Sequence, residues 1–427
     1  MSGGVSRRDF VHRCFAASAF VAHGPWLGGL STGRGAALPP PAPEIRAAWL
    51  SLFDPFDLFA ETERPERGPS TAGVQQVFDI LGAVGFNTVF VMVDSWYAYS
   101  IVHPDYQPKK SLAEWDAFGE VLRAASQRGI TVHLSFPLVN DRGYPQGTHQ
   151  PPDFTVASGG NPAWRARYLA ADGELSDSRS NVCPSRPETR AWEARLLREL
   201  LERYPEVTQV QLEEPGYDTP VHCVCDECRR QYASRYGGDL VAQVQQEAAV
   251  EHCPDSDCAG QAAVLKCEHL THLLQAVREE LVGRAITWSA TISYDPWRDR
   301  RLGRDWVRWA NLGWLDFVAP MIYTRTDAVF RDSLEAGVLS HLPLLCHVCP
   351  GIGVHFGGAL LPEGGRPAPD INSVVEVVRQ IGAACEVARN TGRVNGVALF
   401  LGELLRPAYR SLGAGCLRAI SSQAFHA

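Results

Sequence analysis

The sequence predicts a (β/α)8 TIM barrel, in which parallel strands alternate with helices, and a cysteine-rich insertion after the fourth strand. From residue 44 onward, strand-like and helix-like segments alternate eight times, which is the pattern of βαβ units closed into a barrel. A length of 427 residues accommodates one such barrel with insertions. The fourth strand is polar on one face and ends in two adjacent carboxylates, as expected where a barrel strand leads into an active site.

That fourth strand lies in the stretch Val207–Asp218, VTQVQLEEPGYD, whose residues alternate between an apolar face and a polar face. The apolar face carries Val210 and Leu212, and the polar face carries Gln209, Gln211 and Glu213. This alternation places Glu213, rather than Glu214, on the lumen side of a barrel. The alternative interpretation is a strand that simply ends in a charged, solvent-exposed loop.

Residues 1–43 are interpreted as a targeting segment and spacer that precede the barrel domain, residues 44–427. Arg7 and Arg8, followed by Phe10, are similar to the twin-arginine export signature. The weakly apolar run from Phe15 to Leu30 is too short and too interrupted by glycine and proline to span a membrane. The alternative is a chance arginine pair in a disordered terminus. The sequence therefore predicts export to the periplasm or the exterior, with no membrane span in the mature protein.

The strands and helices are predicted from apolar periodicity and from the residues that end each segment. Phe86–Val93 is apolar on both faces, as strands of parallel sheets are, and Gly85 and Gly129 end helices. The predicted strands are Ile45–Leu52, Phe86–Val93, Ile130–Phe136, Val207–Glu213, Ala285–Ser293, Leu315–Tyr323, Leu342–Cys349 and Val394–Leu401. The predicted helices are Thr71–Gly85, Asp116–Gly129, Ser185–Tyr204, Gln261–Val282, Asp305–Leu312, Asp327–Gly337, Ile371–Thr391 and Arg406–Arg418. Ser185 and Glu188 suggest a capping box with Pro187 in the first helical turn.

Two long connections interrupt this alternation. Residues 137–184, rich in Gly, Pro and Asp, are predicted to form a loop, and residues 219–260 form the cysteine-rich insertion. An open doubly wound sheet is the alternative fold, but no glycine-rich phosphate loop follows the first strand. No organic cofactor is expected. The net charge of −8 gives no basic footprint for nucleic acid.

Function is expected where the barrel strands end, and carboxylates occur there beside aromatic residues. The candidates are Asp94, Trp96 and Tyr97 after the second strand, Glu213 and Glu214 after the fourth, Asp295 and Trp297 after the fifth, Tyr323 at the end of the sixth, and Glu403 after the eighth. His133 has the lumen-facing parity of the third strand, although a buried histidine of this kind is often a hydrogen-bonded core residue. Acids for proton transfer and rings for stacking form the composition of a glycosidase cleft.

The cysteine-rich insertion carries the pattern C-x-C-x2-C at Cys223, Cys225 and Cys228. Thiols this close in sequence do not readily pair with one another, but they can chelate a tetrahedral structural Zn²⁺ with one further ligand. The fourth ligand is expected to be Cys183, Cys253 or Cys258. Disulfides to Cys253 and Cys258 are the alternative, because export favours disulfides. The twin-arginine route carries folded proteins, so a site metallated in the cytoplasm would survive it.

Four segments resemble the glycosyl-hydrolase-like family 10 group: EIRAAWL (44–50), CPSRPETR (183–190), the strand Val207–Glu213 and GRDWVRWANLGWLDFVAPMIY (303–323). The resemblance covers roughly Glu44 to Leu405. That group usually has Asp where this chain has Glu213. The resemblance implies a secreted barrel protein with a carbohydrate substrate.

Together these observations predict a glycosidase in which Glu213 is the leading general acid/base and Glu214 the reserve. Asp94 and Asp295 are the first candidates for a partner carboxylate, because aromatic residues flank both. The alternative is a non-catalytic carbohydrate-binding or cell-envelope protein on a barrel scaffold. A metal-dependent hydrolase is disfavoured, because a site of three or four thiolates is closed and structural.

Overall fold

The computed structural model describes residues 45–51, 58–63, 70–93, 115–139, 162–250, 260–354, 373–401, 404–407 and 410–424. The strands in these ranges are β1 (Ile45–Ser51), β2 (Thr88–Met92), β3 (Thr131–Phe136), β4 (Arg165–Leu169), β5 (Leu175–Val182), β6 (Gln209–Leu212), β7 (Thr287–Ile292), β8 (Phe317–Pro320), β9 (His347–Val348), β10 (Gly351–Gly353) and β11 (Gly396–Phe400). The helices are α1 (Thr71–Ala83), α2 (Ala117–Ser126), α3 (Pro187–Arg203), α4 (Asp226–Tyr236), α5 (Leu240–Ala248), α6 (Gln261–Glu280), α7 (Pro296–Arg301), α8 (Trp306–Asn311), α9 (Asp327–Asp332), α10 (Val374–Thr391) and α11 (Arg410–Ala424).

The predicted parallel barrel is confirmed. One sheet has the strand order β10-β11-β1-β2-β3-β6-β7-β8-β9, and all its pairings are parallel. β9 and β10 are consecutive pieces of one strand, interrupted at Cys349 and Pro350. β9 pairs with β8, and β10 pairs with β11. Further parallel bridges, Val348 to Val394 and Met321 to Gly351, join this strand to both neighbours and close the ring.

The two faces of each barrel strand enter different cores. Val210 and Leu212 belong to the large core that the strands share with the surrounding helices. Trp49, Phe90 and Phe317 belong to a separate, smaller cluster that fills the lumen. Because side chains alternate along a strand, the residues of β6 that face this lumen are Gln209 and Gln211, followed by Glu213.

Two local predictions are wrong. No capping box forms at Ser185: α3 begins at Pro187, and its N-cap, Arg186, makes no side-chain cap bond. The Ser185 hydroxyl instead lies 3.0 Å from the Cys183 sulfur. The seventh barrel strand begins at His347 rather than Leu342. The apolar pair that suggested an earlier start, Leu344 and Leu345, is 69% and 76% exposed.

The two long connections contain secondary structure that the sequence did not reveal. β4 and β5 form an antiparallel hairpin within the predicted loop 137–184. Residues 219–260 contain α4 and α5. No helix among the described residues has the length and apolar character needed to cross a membrane.

Candidate active site and four-cysteine cluster

Glu213 lies at the carboxyl end of the fourth barrel strand, and 5% of its surface is exposed. One carboxylate oxygen, Oε2, accepts hydrogen bonds from Ser135 Oγ at 3.0 Å and Thr291 Oγ1 at 3.2 Å. Ser135 lies on β3 and Thr291 on β7, the strands that flank β6 in the sheet. Three adjacent strands therefore fix the position of this carboxylate.

A network of polar side chains continues below Glu213 in the lumen. Trp49 Nε1 donates to Gln211 Oε1 at 3.0 Å, and Ser135 Oγ lies 3.1 Å from the same oxygen. Because an indole nitrogen can only donate, this bond orients the Gln211 amide with its oxygen toward Trp49. The buried atoms Gln211 Nε2, Ser289 Oγ and His133 Nδ1 have no hydrogen-bond partner among the described residues. The lumen thus retains unused donors and acceptors beneath a carboxylate.

His133 belongs to the aromatic part of the lumen. Its ring makes edge contacts with Phe90, at 5.0 Å between centroids, and with Phe317, at 5.7 Å. Burial lowers the pKa of His133 to about 3. The imidazole is therefore uncharged near pH 7. It packs against the aromatic rings of the lumen and forms part of the lumen wall.

Glu214 lies beside Glu213 in sequence but has a different environment. Its backbone has a φ of +39°, and its N–H donates to Thr291 Oγ1 at 2.5 Å. Its carboxylate lies 3.8 Å from Arg304 Nη1, in the segment that follows α7. The same guanidinium lies 3.5 Å from the fully buried Asp299, and burial raises the pKa of Asp299 to about 6. The carboxylates of the two adjacent glutamates therefore have different neighbours, although both residues contact Thr291.

Two other candidates after the fifth strand contribute to local structure. Asp295 is the N-cap of α7 and accepts a hydrogen bond from the Arg298 N–H at 3.1 Å. Trp297 is 7% exposed, and the Arg301 guanidinium lies over its ring at 4.6 Å.

Tyr323 presents an aromatic surface at the rim. Its ring stacks on Phe400, with centroids 5.5 Å apart and an interplanar angle of 23°, and both residues are half-buried. Tyr323 follows β8 and Phe400 ends β11, so both occupy the carboxyl rim, where Glu213 also lies. Asp94, Trp96, Tyr97 and Glu403 lie outside the described residues, and their roles stay predictions.

Four cysteines meet beside this rim: Cys183, Cys223, Cys225 and Cys228. All are buried free thiols, and their sulfur atoms lie within 4.8 Å of one another. The Cys183 sulfur is 3.4 Å from that of Cys228 and 3.5 Å from that of Cys225. Tetrahedral zinc with Zn–S bonds of about 2.3 Å places sulfurs about 3.8 Å apart, so the cluster fits a four-coordinate metal. Cys253 and Cys258 lie outside the described residues.

Burial and mutual hydrogen bonding shift the thiol pKa values of this cluster in opposite directions. Burial raises the pKa of the Cys223 thiol, and hydrogen bonding raises that of Cys228. Hydrogen bonds from Cys183, Cys223 and Cys228 lower the pKa of Cys225, because a thiolate among neutral thiols is the acceptor. A bound divalent cation would supply the positive charge that stabilises more than one thiolate here.

The sequence identified Glu213 and the cysteines but missed residues that complete the site. Thr291 shares the lumen parity of Ser289 in TWSATI, so strand alternation was a usable signal for it. Trp49 and Phe400 lie on predicted strands without polar neighbours in sequence that mark them. Arg304 lies in a connection between helices, where periodicity carries no information.

The barrel carries a buried carboxylate, Glu213, after its fourth strand. No family model matches the sequence, and no curated protein matches it. Among solved structures, the glycoside hydrolase domain of PgaB (BpsB) from Bordetella bronchiseptica is similar over 88% of this chain and 99% of that domain, with a TM-score of 0.56 and 17% identity.

Two further solved structures are similar at this level. The catalytic domain of beta-amylase from Paenibacillus polymyxa matches over 90% of this chain and 99% of its own, with a TM-score of 0.54 and 11% identity. Alpha-L-fucosidase isoenzyme 2 from Paenibacillus thiaminolyticus matches over 89% of this chain and 49% of its own, with a TM-score of 0.52 and 12% identity. At these identities the similarity shows a shared fold.

Proposed function

We propose that this protein is a glycoside hydrolase that acts on a polysaccharide or oligosaccharide, with Glu213 as its general acid/base. The observation that carries the proposal is the position of Glu213: it faces the lumen after the fourth strand, and hydroxyls from both neighbouring strands hold one of its oxygens. Residues at the carboxyl ends of barrel strands form the active sites of this fold. The shared fold of the glycosidases described above supports the same reading.

Two hydroxyls orient the Glu213 carboxylate, which supports its proposed role in proton transfer. The Ser135 and Thr291 hydroxyls converge on Oε2 from the two neighbouring strands. Fixing one oxygen holds the other in a defined direction, which is what efficient proton transfer to a glycosidic oxygen requires.

Asp94 is the partner carboxylate that we favour. It directly follows Val93 in the sequence, and because residues after barrel strands form the carboxyl rim, we expect it on the same rim as Glu213. Asp295 is the weaker candidate, because its carboxylate caps α7. A carboxyl separation of about 5–5.5 Å would give retention of configuration, and about 6.5–9.5 Å would give inversion.

The substrate contacts proposed at the rim are stacking and hydrogen bonding. The Tyr323–Phe400 pair offers a flat apolar face of the kind against which a sugar ring packs. The unused polar atoms of Gln211, Ser289 and His133 lie deeper, beneath Glu213 in the lumen, and are of the type that binds ordered water. A neutral carbohydrate matches the pairing of an aromatic face with the hydrogen-bonding Glu213 carboxylate at the rim.

Release of reducing ends from a panel of polysaccharides, by wild type and by Glu213→Gln, tests the proposal. Hydrolysis by wild type and its loss in the variant would support the enzyme. Binding to a polysaccharide without hydrolysis by either protein would instead support the non-catalytic carbohydrate-binding alternative.

We also propose that the four-cysteine cluster holds structural Zn²⁺, with Cys183, Cys223, Cys225 and Cys228 as ligands. Thiolate ligands in a tetrahedral set are typical of structural zinc. A metal with four protein ligands cross-links segments of chain and has no open position for substrate. One equivalent of zinc per chain in elemental analysis is expected, and oxidised thiols without zinc would contradict the assignment.

Export by the twin-arginine route is the third part of this proposal, and it rests on Arg7 and Arg8. The double substitution Arg7→Lys, Arg8→Lys should retain the protein in the cytoplasm of a host with that pathway. Equal amounts of exported protein from wild type and variant would contradict it.

A further inference from the structure

The four-cysteine cluster joins two segments of chain that follow different barrel strands. Cys183 directly follows β5 of the hairpin that lies between β3 and α3, whereas the other three cysteines follow β6. The thiols belong to a small core with buried residues such as Tyr217, Val224 and Tyr232, separate from the barrel core. A metal in this cluster therefore connects the hairpin to the segment that continues from Glu213.

Tyr217 lies between the cluster and Glu213. It follows Glu213 by four residues, and its side chain is fully buried. Its hydroxyl lies 3.9 Å from the Cys183 sulfur. Its ring stacks on His222, the residue before Cys223, with centroids 5.6 Å apart and an interplanar angle of 6°. Tyr217 thus contacts both segments that supply the thiols.

The segment from Glu213 to Tyr217 is closely held along its length. The Glu214 N–H donates to Thr291 Oγ1 at 2.5 Å, and the Tyr217 N–H donates to the Leu302 carbonyl at 3.0 Å. A Cβ added at Gly216 would lie 2.7 Å from that same carbonyl, so the backbone passes directly against it. Four residues span at most about 14 Å, and such a short, restrained segment transmits a displacement of Tyr217 to Glu214.

We propose that the metallated four-cysteine cluster positions the Glu213–Glu214 segment, and that Tyr217 is the positioning residue between them. The inference rests on the zinc assignment made above, but it does not depend on which sugar is hydrolysed. Loss of the metal releases Tyr217 from the Cys183 side and loosens the backbone that carries both glutamates. The barrel strands, whose core is separate, keep their structure.

Amide hydrogen exchange of the full chain, combined with zinc analysis, tests this. Cys228→Ser removes one ligand, and Cys385→Ser, an exposed cysteine on α10, is the matched control. Wild type and control should each hold one zinc. Cys228→Ser should lose the zinc, and the Glu214 and Tyr217 amides should exchange about tenfold faster or more as this segment opens locally. The amides of β1 and β11 should be unchanged. Loss of zinc with unaltered exchange at Glu214 and Tyr217 would overturn the proposal.

Tyr217→Phe separates the role of the tyrosine from that of the metal. This variant keeps the ring and all four thiols, so it should retain zinc while Glu214 exchanges faster than in wild type. Unchanged exchange at Glu214 would show that Tyr217 is not the link.

Misfolding of the variant, absence of zinc and absence of hydrolysis give different results. If Cys228→Ser fails to fold, as faster exchange in β1 and β11 would reveal, removal of zinc from wild type by a chelator replaces it, with the same two outcomes. A wild-type chain without zinc overturns the metal assignment and this inference together. Failure to hydrolyse any polysaccharide overturns only the proposed activity, because exchange requires no substrate.

Discussion

Ser135 Oγ lies 3.0 Å from Glu213 Oε2, which joins the third and fourth barrel strands through the lumen. The same hydroxyl lies 3.1 Å from Gln211 Oε1. A hydroxyl has one proton to donate, so Ser135 donates either to the carboxylate or to the amide. The hydrogen bond that holds Glu213 is therefore part of a network that reaches Trp49.

Ser135→Ala should lower the free energy of unfolding by about 1–3 kcal/mol, because it removes a buried hydrogen bond to a carboxyl group. Ser289→Ala is the matched control on β7, since Ser289 Oγ is buried without a partner among the described residues. Its substitution should lower stability less than Ser135→Ala does, because it removes no hydrogen bond to another described residue. Urea unfolding of the three proteins measures both values, and equal losses in the two variants would contradict the role of Ser135.

Arg410 connects the last helix to the loop after the first strand. Arg410 is 3% exposed, and its guanidinium donates to the carbonyls of Leu58, Ala60 and Leu405 at 2.8–3.0 Å. Arg410→Ala should destabilise the protein by about 3–5 kcal/mol, because it leaves several buried acceptors unsatisfied. Arg410→Lys should restore only part of this, since an ammonium lacks the planar fork.

Arg418→Ala on the exposed face of the same helix is the control for Arg410. It should alter stability by no more than about 0.5 kcal/mol. A similarly small effect of Arg410→Ala would show that the guanidinium does not hold the last helix against Leu58 and Ala60.

His133 makes stability depend on acid pH. Its pKa falls from the ordinary value of 6.5 to about 3 on folding, because of burial. The unfolded chain therefore binds more protons than the folded chain between these pH values, and stability is lost as pH falls through this window. His133→Leu should reduce the slope of stability against pH there by about 1.4 kcal/mol per pH unit. Between pH 7 and 8 the two proteins should differ by a constant amount.

Unfolding free energies of wild type and His133→Leu, measured from pH 7 to pH 4, check this expectation. Identical slopes would mean that the imidazole becomes protonated inside the lumen. Burial is the cause of the lowered pKa, and the rings that pack against His133 among the described residues are those of Phe90 and Phe317.

The sequence predicted the barrel because each strand is a short apolar segment and each following helix has a recognisable boundary. The lumen face of β6 was predictable for a similar reason, since period-two alternation within one strand needs no knowledge of its neighbours. The antiparallel hairpin β4–β5 was missed because its second strand, LSDSRSNV, is largely polar and lies in a Gly- and Pro-rich stretch. The predicted start of the seventh strand was wrong because an apolar run alone does not distinguish an exposed loop from a buried strand.

Contacts between distant residues were not predictable. Ser135 and Thr291 meet at Glu213 only because the register of three strands aligns them. Cys183 was one of three candidates for the fourth thiol, and the hairpin is what brings it to Cys228. Arg304 carries no periodic signal, and its contact with Glu214 depends on the path of the chain after α7.

Glu206 and Glu214 provide the controls for the proposed catalytic residue. Glu206 is exposed after α3, and Glu206→Gln should leave turnover unchanged. Glu214→Gln should reduce turnover less than Glu213→Gln, because the Glu214 carboxylate lies beside Arg304 rather than in the lumen. The double variant shows whether Glu214 replaces Glu213 after a shift of the loop.

The most direct test of the account is turnover of a hydrolysed polysaccharide by Glu213→Gln, at saturating substrate and with zinc content equal to wild type. Glutamine retains the size of the side chain but cannot transfer the proton. If Glu213 is the general acid/base, kcat should fall by about 10²–10⁴-fold. Glu206→Gln and Glu214→Gln should both remain more active than Glu213→Gln. Turnover by Glu213→Gln within a few-fold of wild type would contradict it.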